Sequence, residues 1–159
     1  MAHDEDEGAP PPVPQKEKRK APSEVLKRGY SDDEILHIYE LGRLCLENGD
    51  VRRAEAVLGG LTHIAPDFAP AWLGMSYIHI QSRNYDAALQ AARQAHRLEA
   101  DSVEAMLFMI SCLLTHGDYN SAGTYLGEVG ERIDSGLVDH PNVIRFYRAQ
   151  LARYQNRGQ

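Results

Sequence analysis

The sequence predicts an all-α fold: three helix-turn-helix units stacked into a solenoid, closed by a C-terminal capping helix. Three observations predict it. The first is a period. The stretches "NGDVRRA", "SRNYDAA" and "HGDYNSA" end in Ala54, Ala88 and Ala122, so a small turn, an apolar residue and an alanine return every 34 residues. Such a fixed interval marks stacked supersecondary units that cannot bury their apolar faces alone. The second is a helix start at "YSDDEI". Ser31 caps, Glu34 completes a capping box, and Tyr30 with Ile35 has the spacing of a hydrophobic staple. Asp32 and Asp33 suit the positive end of the helix dipole. The third is the closing segment "HPNVIRFYRAQLARYQNR". Pro141 fits a first helical turn, and Val143, Phe146, Tyr147, Leu151 and Tyr154 recur at helical spacing. Arg145, Arg148, Arg153 and Arg157 are left to face water.

In chain order, residues 1–30 form a tail. An acidic run, Asp4 to Glu7, precedes Pro10, Pro11, Pro12 and Pro14 and then the basic "KEKRK" at 16–20. This composition predicts a disordered or extended segment. The basic run reads as a solvated stretch beside its own acids rather than a nuclear signal or a phosphate patch. "APSEVLKRGY" at 21–30 is expected to form a short helix that docks on the body or on a second copy.

Residues 31–136 hold the three units, at 35–68, 69–102 and 103–136, and residues 137–159 the capping helix. Large residues stand fourth (Ile38, Trp72, Met106) and seventh (Leu41, Met75, Met109). Small ones stand eighth (Gly42, Ser76) and twentieth (Ala54, Ala88, Ala122), where two helices cross closely. Over residues 35–136 this pattern resembles the tetratricopeptide repeat, which implies a right-handed array. Two departures stand out. Ile110 replaces the small eighth residue, and the third unit ends "ERIDSG" where Pro66 closes the first. The second half of the third unit is therefore expected to be irregular.

Composition excludes several functions. The 159 residues are 43% apolar and carry a formal net charge of −6, against a general nucleic-acid binder. "MAHDEDEGAPPPVPQ" does not read as a secretory leader, and no apolar run approaches a membrane span. A cytoplasmic protein is expected, with Cys45 and Cys112 as thiols. Seven histidines are scattered without metal-ligand spacing, His79 among them inside the second unit. Gly59 and Gly60 interrupt a helix rather than follow a strand, so they do not form a phosphate loop. No catalytic constellation emerges, so neither an enzyme nor a bound cofactor or metal is expected.

Binding remains. In tetratricopeptide arrays the first helices line a concave face, and the resemblance places Tyr39, Arg43 and Leu46 there from the first unit. It adds Leu73, Tyr77 and Ile80 from the second, and Leu107, Ser111 and Leu114 from the third. The groove is expected to be apolar and aromatic, with Arg43 fixing a polar group or carboxylate at one end. A carboxylate clamp is not expected, since the Lys and Asn it needs are absent. "LGRLCLENGD", "WLGMSYIHIQSRNYDAAL" and "SCLLTHGDYNSAGTYL" resemble the class II chaperones of bacterial type III secretion systems. Cys112, Leu113, Leu114, Gly117 and Ala122 carry the closest part of that likeness. The resemblance implies a protein client, an extended or helical segment of a secretion substrate. It leaves open a homodimer or a heterodimer with a small co-chaperone. The rival readings are a scaffold module inside a larger assembly and a regulator whose basic tail touches nucleic acid.

Overall fold

The computed structural model describes residues 29–158, all of whose regular structure is helical. The seven helices are α1 (Asp32–Glu47), α2 (Val51–Ile64), α3 (Ala69–Gln81), α4 (Tyr85–Leu98), α5 (Val103–His116), α6 (Tyr119–Asp134) and α7 (Pro141–Gln155). The tail up to residue 28, including most of the short helix expected at 21–30, lies outside the described residues.

Local chemistry starts nearly every helix. At α1 the Ser31 hydroxyl accepts from the Glu34 amide at 3.1 Å, and the Ser31 amide donates to Glu34 Oε2 at 2.6 Å. The capping box draws the Glu34 carboxyl below its usual range. Asp50, Asn84, Ser102 and Asp118 cap α2, α4, α5 and α6 in the same way. Tyr30 is largely exposed and outside the cluster around Ile35, so the expected staple does not form. Ile35 packs instead on Leu61, Ala65 and Ala71.

The turns inside the pairs share one backbone solution. Gly49, Arg83 and Gly117, each 34 residues apart, all take a positive φ, of 74°, 60° and 79°. A left-handed residue ends the first helix and aims the chain back along it. Arg83 bears strain there that glycine would not. Arg83→Gly should raise stability by about 0.5–1 kcal/mol, the relief being partly offset by glycine's unfolded-state entropy. Urea unfolding would show it as a higher midpoint at an unchanged slope.

Helices pair α1 with α2, α3 with α4 and α5 with α6, each pair packs on the next, and α7 lies on α5 and α6. The recurring alanines explain the close crossings. Ala54, Ala88 and Ala122 are wholly buried, and the Ser76 hydroxyl donates to the Ala88 carbonyl at 2.9 Å. A methyl group is all that fits between backbones so near. Ala88→Leu should cost about 1–3 kcal/mol through overpacking. A thermal melt of the variant that overlays the parent would mean the second pair does not cross at this residue.

Three expectations need correction. The second half of the third unit is not irregular: α6 runs unbroken from Tyr119 to Asp134. Without a proline to stop it, the helix continues to Asp134, Ser135 caps it, and Gly136 at φ +76° then turns the chain. Gly59 and Gly60 do not interrupt α2, which passes straight through them. Leu58 and Leu61 on the same helix are buried, and that burial offsets the propensity cost, about 1 kcal/mol for each glycine. The capping helix is shorter than 137–159, because Pro141 sets its first turn after a loop. Ile110, the exception at the eighth position, is wholly buried in the largest cluster.

Candidate binding groove

The first helices of successive pairs pack on one another, α1 on α3 and α3 on α5, while the second helices pack less closely. The array therefore curves with α1, α3 and α5 on its inner side.

On α1, Tyr39 is half-buried, its ring meeting Phe68 edge-on at 5.5 Å between centroids. Burial pushes its phenol up from the ordinary value. Arg43 pulls it down, and Glu40 and Glu104 push it up. Glu104 belongs to α5, the first helix of the third pair. Leu46 is half-buried, packed against Cys45, Ala54, Leu58 and Ile78. On α3, Leu73 and Ile80 are half-buried and Tyr77 is 42% exposed. Each of these five side chains keeps some surface open, the Tyr77 ring most of all.

Arg43 is not free. Its guanidinium donates to Glu40 Oε2 from Nε at 3.1 Å and from Nη2 at 3.0 Å, and from Nη1 to Glu47 Oε1 at 2.9 Å. Two carboxylates of its own helix hold it, so a ligand carboxylate would have to displace them. Glu40 Oε1 is buried with no hydrogen-bond partner among the described residues.

The third pair departs further from expectation. Leu107 is 1% exposed, and Ser111 and Leu114 are 6% exposed. They belong to the folded core. Leu107 and Leu114 join a cluster against which Ile80, Phe108, Phe146, Tyr147, Leu151 and Tyr154 pack.

Solved structures share this geometry. The Yersinia enterocolitica type III secretion translocator chaperone SycD is 16% identical, over 86% of this chain and 98% of that one, with a TM-score of 0.67. PcrH, in complex with the chaperone-binding region of PopD, is 20% identical over 82% of this chain and 98% of that one, with a TM-score of 0.70. SycD in complex with a peptide of the translocator YopD aligns with 81% of this chain and 98% of that one, at 17% identity and a TM-score of 0.67. The family model of the tetratricopeptide repeat matches residues 79–135. This is a tetratricopeptide-repeat fold, the fold of the translocator chaperones. A comparison with curated proteins finds no significant match.

Within the tetratricopeptide array, α7 stands where a fourth unit's first helix would stack, and it decides how far the groove extends. Arg153, expected to face water, reaches back to α5. It donates to Thr115 Oγ1 at 3.1 Å, to Ser111 Oγ at 3.4 Å and to Gln150 Oε1 at 2.8 Å. Gln150 is thereby buried, a polar residue at a core position. Neither role was read from the sequence, although the three-residue spacing of Gln150 and Arg153 is that of helix neighbours.

Both cysteines are buried free thiols. Burial pushes the Cys112 thiol up to about 11, with Arg153 opposing weakly, so it stays protonated at neutral pH. Among the described residues no group of three or more His, Cys, Asp or Glu side chains is placed to hold a metal ion. No described helix is long and apolar enough to cross a membrane.

Proposed function

We propose that the protein is a type III secretion chaperone in the bacterial cytoplasm. It binds an extended or helical segment of a translocator or needle protein on its concave face and keeps it soluble before export. The single observation that supports this most is the inner strip of Tyr39, Leu46, Leu73, Tyr77 and Ile80, on a fold shared with chaperones solved with translocator segments. The strip lies on helices whose other faces are already packed, so its exposure serves a partner. Affinity then comes from a few desolvated anchors, Tyr77 foremost. Arg43 remains a candidate for a client's carboxylate, in exchange with Glu40 and Glu47. Leu107, Ser111 and Leu114 are core residues rather than anchors, and Ile80 packs on the cluster that holds the two leucines. The activity is binding, not catalysis.

The test is co-expression with the product of a neighbouring translocator gene. A soluble one-to-one complex is the expected result. Recovery only inside a large particle, with no binary complex, would favour the scaffold reading instead.

A further inference from the structure

The concave face makes no use of the charge at the far end of the array. From Pro141 to Arg157 the sequence holds arginines at 145, 148, 153 and 157 and no carboxylate, in a chain of formal net charge −6. Two of the four are engaged. Arg153 clasps α5, and Arg157 lies over the Tyr154 ring at 4.0 Å. Arg145 and Arg148 are exposed, and no hydrogen bond or ion pair to either occurs among the described residues. With Asp139, Pro141 and Ile144 they line a cleft of about 360 Å³. Asp139 forms no ion pair with either arginine. Just before the cleft, Leu137 is 77% exposed. Two exposed guanidiniums over an apolar floor suit an extended acidic segment that continues into small or apolar residues.

The chain contains one such segment. We infer that the cleft binds the acidic run at 4–7 of the same chain. Asp4, Glu5, Asp6 and Glu7 are followed by Gly8, Ala9 and Pro10, which match the apolar floor.

Charge and reach favour this occupant. The 21 residues from Gly8 to Arg28 separate the run from the first described residue, Gly29. A chain of that length reaches at most about 70 Å. The steps from α1 through α3 and α5 to α7, at about 8–10 Å each, fall well within it.

The test uses the full chain with a nitroxide attached at Gly8→Cys, Cys45 and Cys112 being buried. Paramagnetic broadening of the amides of residues 139–148 is expected at low salt and should fade at about 0.5 M salt. Arg145→Gln with Arg148→Gln should remove it. Reversing both partners, with lysines at 4–7 and Arg145→Glu with Arg148→Glu, should restore it. If the Glu pair melts α7, the Gln pair still decides. The inference is overturned if no broadening occurs, if it falls on another face, or if dilution with unlabelled chain abolishes it. The last result would place the run on a second copy. Broadening lost only when an acidic partner protein is added supports the same cleft and charges.

Discussion

Leu107→Glu is expected to abolish cooperative folding, whereas Tyr77→Glu should leave the fold nearly untouched. The two residues lie on neighbouring first helices, yet Leu107 is 1% exposed and Tyr77 42%. A carboxylate at 107 would enter a cluster of Leu, Met, Ile and aromatic side chains, and Arg153, which reaches Ser111 one turn on, is already engaged by Ser111, Thr115 and Gln150. An uncompensated buried charge costs about 3–5 kcal/mol, a large part of the about 5–15 kcal/mol that holds a domain together. Circular dichroism should show lost helix or a broad, low melt. At position 77 the new carboxylate stays hydrated, so the melt should shift little. Client affinity should fall by about 30-fold or more, as for loss of a central anchor. An intact melt for Leu107→Glu would mean that α7 does not cover α5 in solution. Unchanged client binding by Tyr77→Glu would remove the inner strip from the proposed site.

Leu58→Ala should be nearly as damaging, and its coupling to Gly42 is diagnostic. Leu58 is 1% exposed and wedged between two glycines on neighbouring helices. A Cβ on Gly42 would stand 2.6 Å from Leu58 Cδ2, and one on Gly74 would stand 2.7 Å from Leu58 Cδ1. Removing the side chain should cost about 2–5 kcal/mol in lost transfer energy and cavity. Gly42→Ala alone should also destabilise, because the methyl group meets Leu58. In the Leu58→Ala background the obstacle is gone, and Gly42→Ala should become neutral or stabilising through helix propensity, worth about 1 kcal/mol. A double-mutant cycle in urea reads this directly. Additive costs would show that the first two pairs do not interlock through Leu58.

The backbone plan was legible because steric necessity writes it into residue identity. Two helices crossing at Ala54, Ala88 or Ala122 leave room for a methyl group and nothing more. A turn that needs a left-handed residue selects Gly49 and Gly117 and only tolerates Arg83. Such constraints act within one pair and repeat with it. The groove obeys no comparable local rule. Leu73 and Leu107 are the same residue at the same position of the repeat, yet one is half-buried and the other buried, because contacts outside their own pairs set the difference. Arg43 shows a different gap. Its partners Glu40 and Glu47, three residues before and four after, sit at ordinary helix-neighbour spacing and could have been read from the sequence.

The two ends of the array differ in a way that bears on how it yields to force or ligand. At one end α7 lies over α5 and α6, and Arg153 ties it to α5. At the other, among the described residues, α1 leaves Leu41 and Leu44 each about half exposed. In a nearest-neighbour array a terminal unit held from one side opens first. Amide exchange should therefore be graded along the chain, fastest in α1 and slowest in α5, with α1 opening while the rest stays closed. Tyr39 and Arg43 ride on that yielding helix. A ligand arriving there meets a surface that can still be moulded, while the Tyr77 end of the strip is fixed in shape before contact.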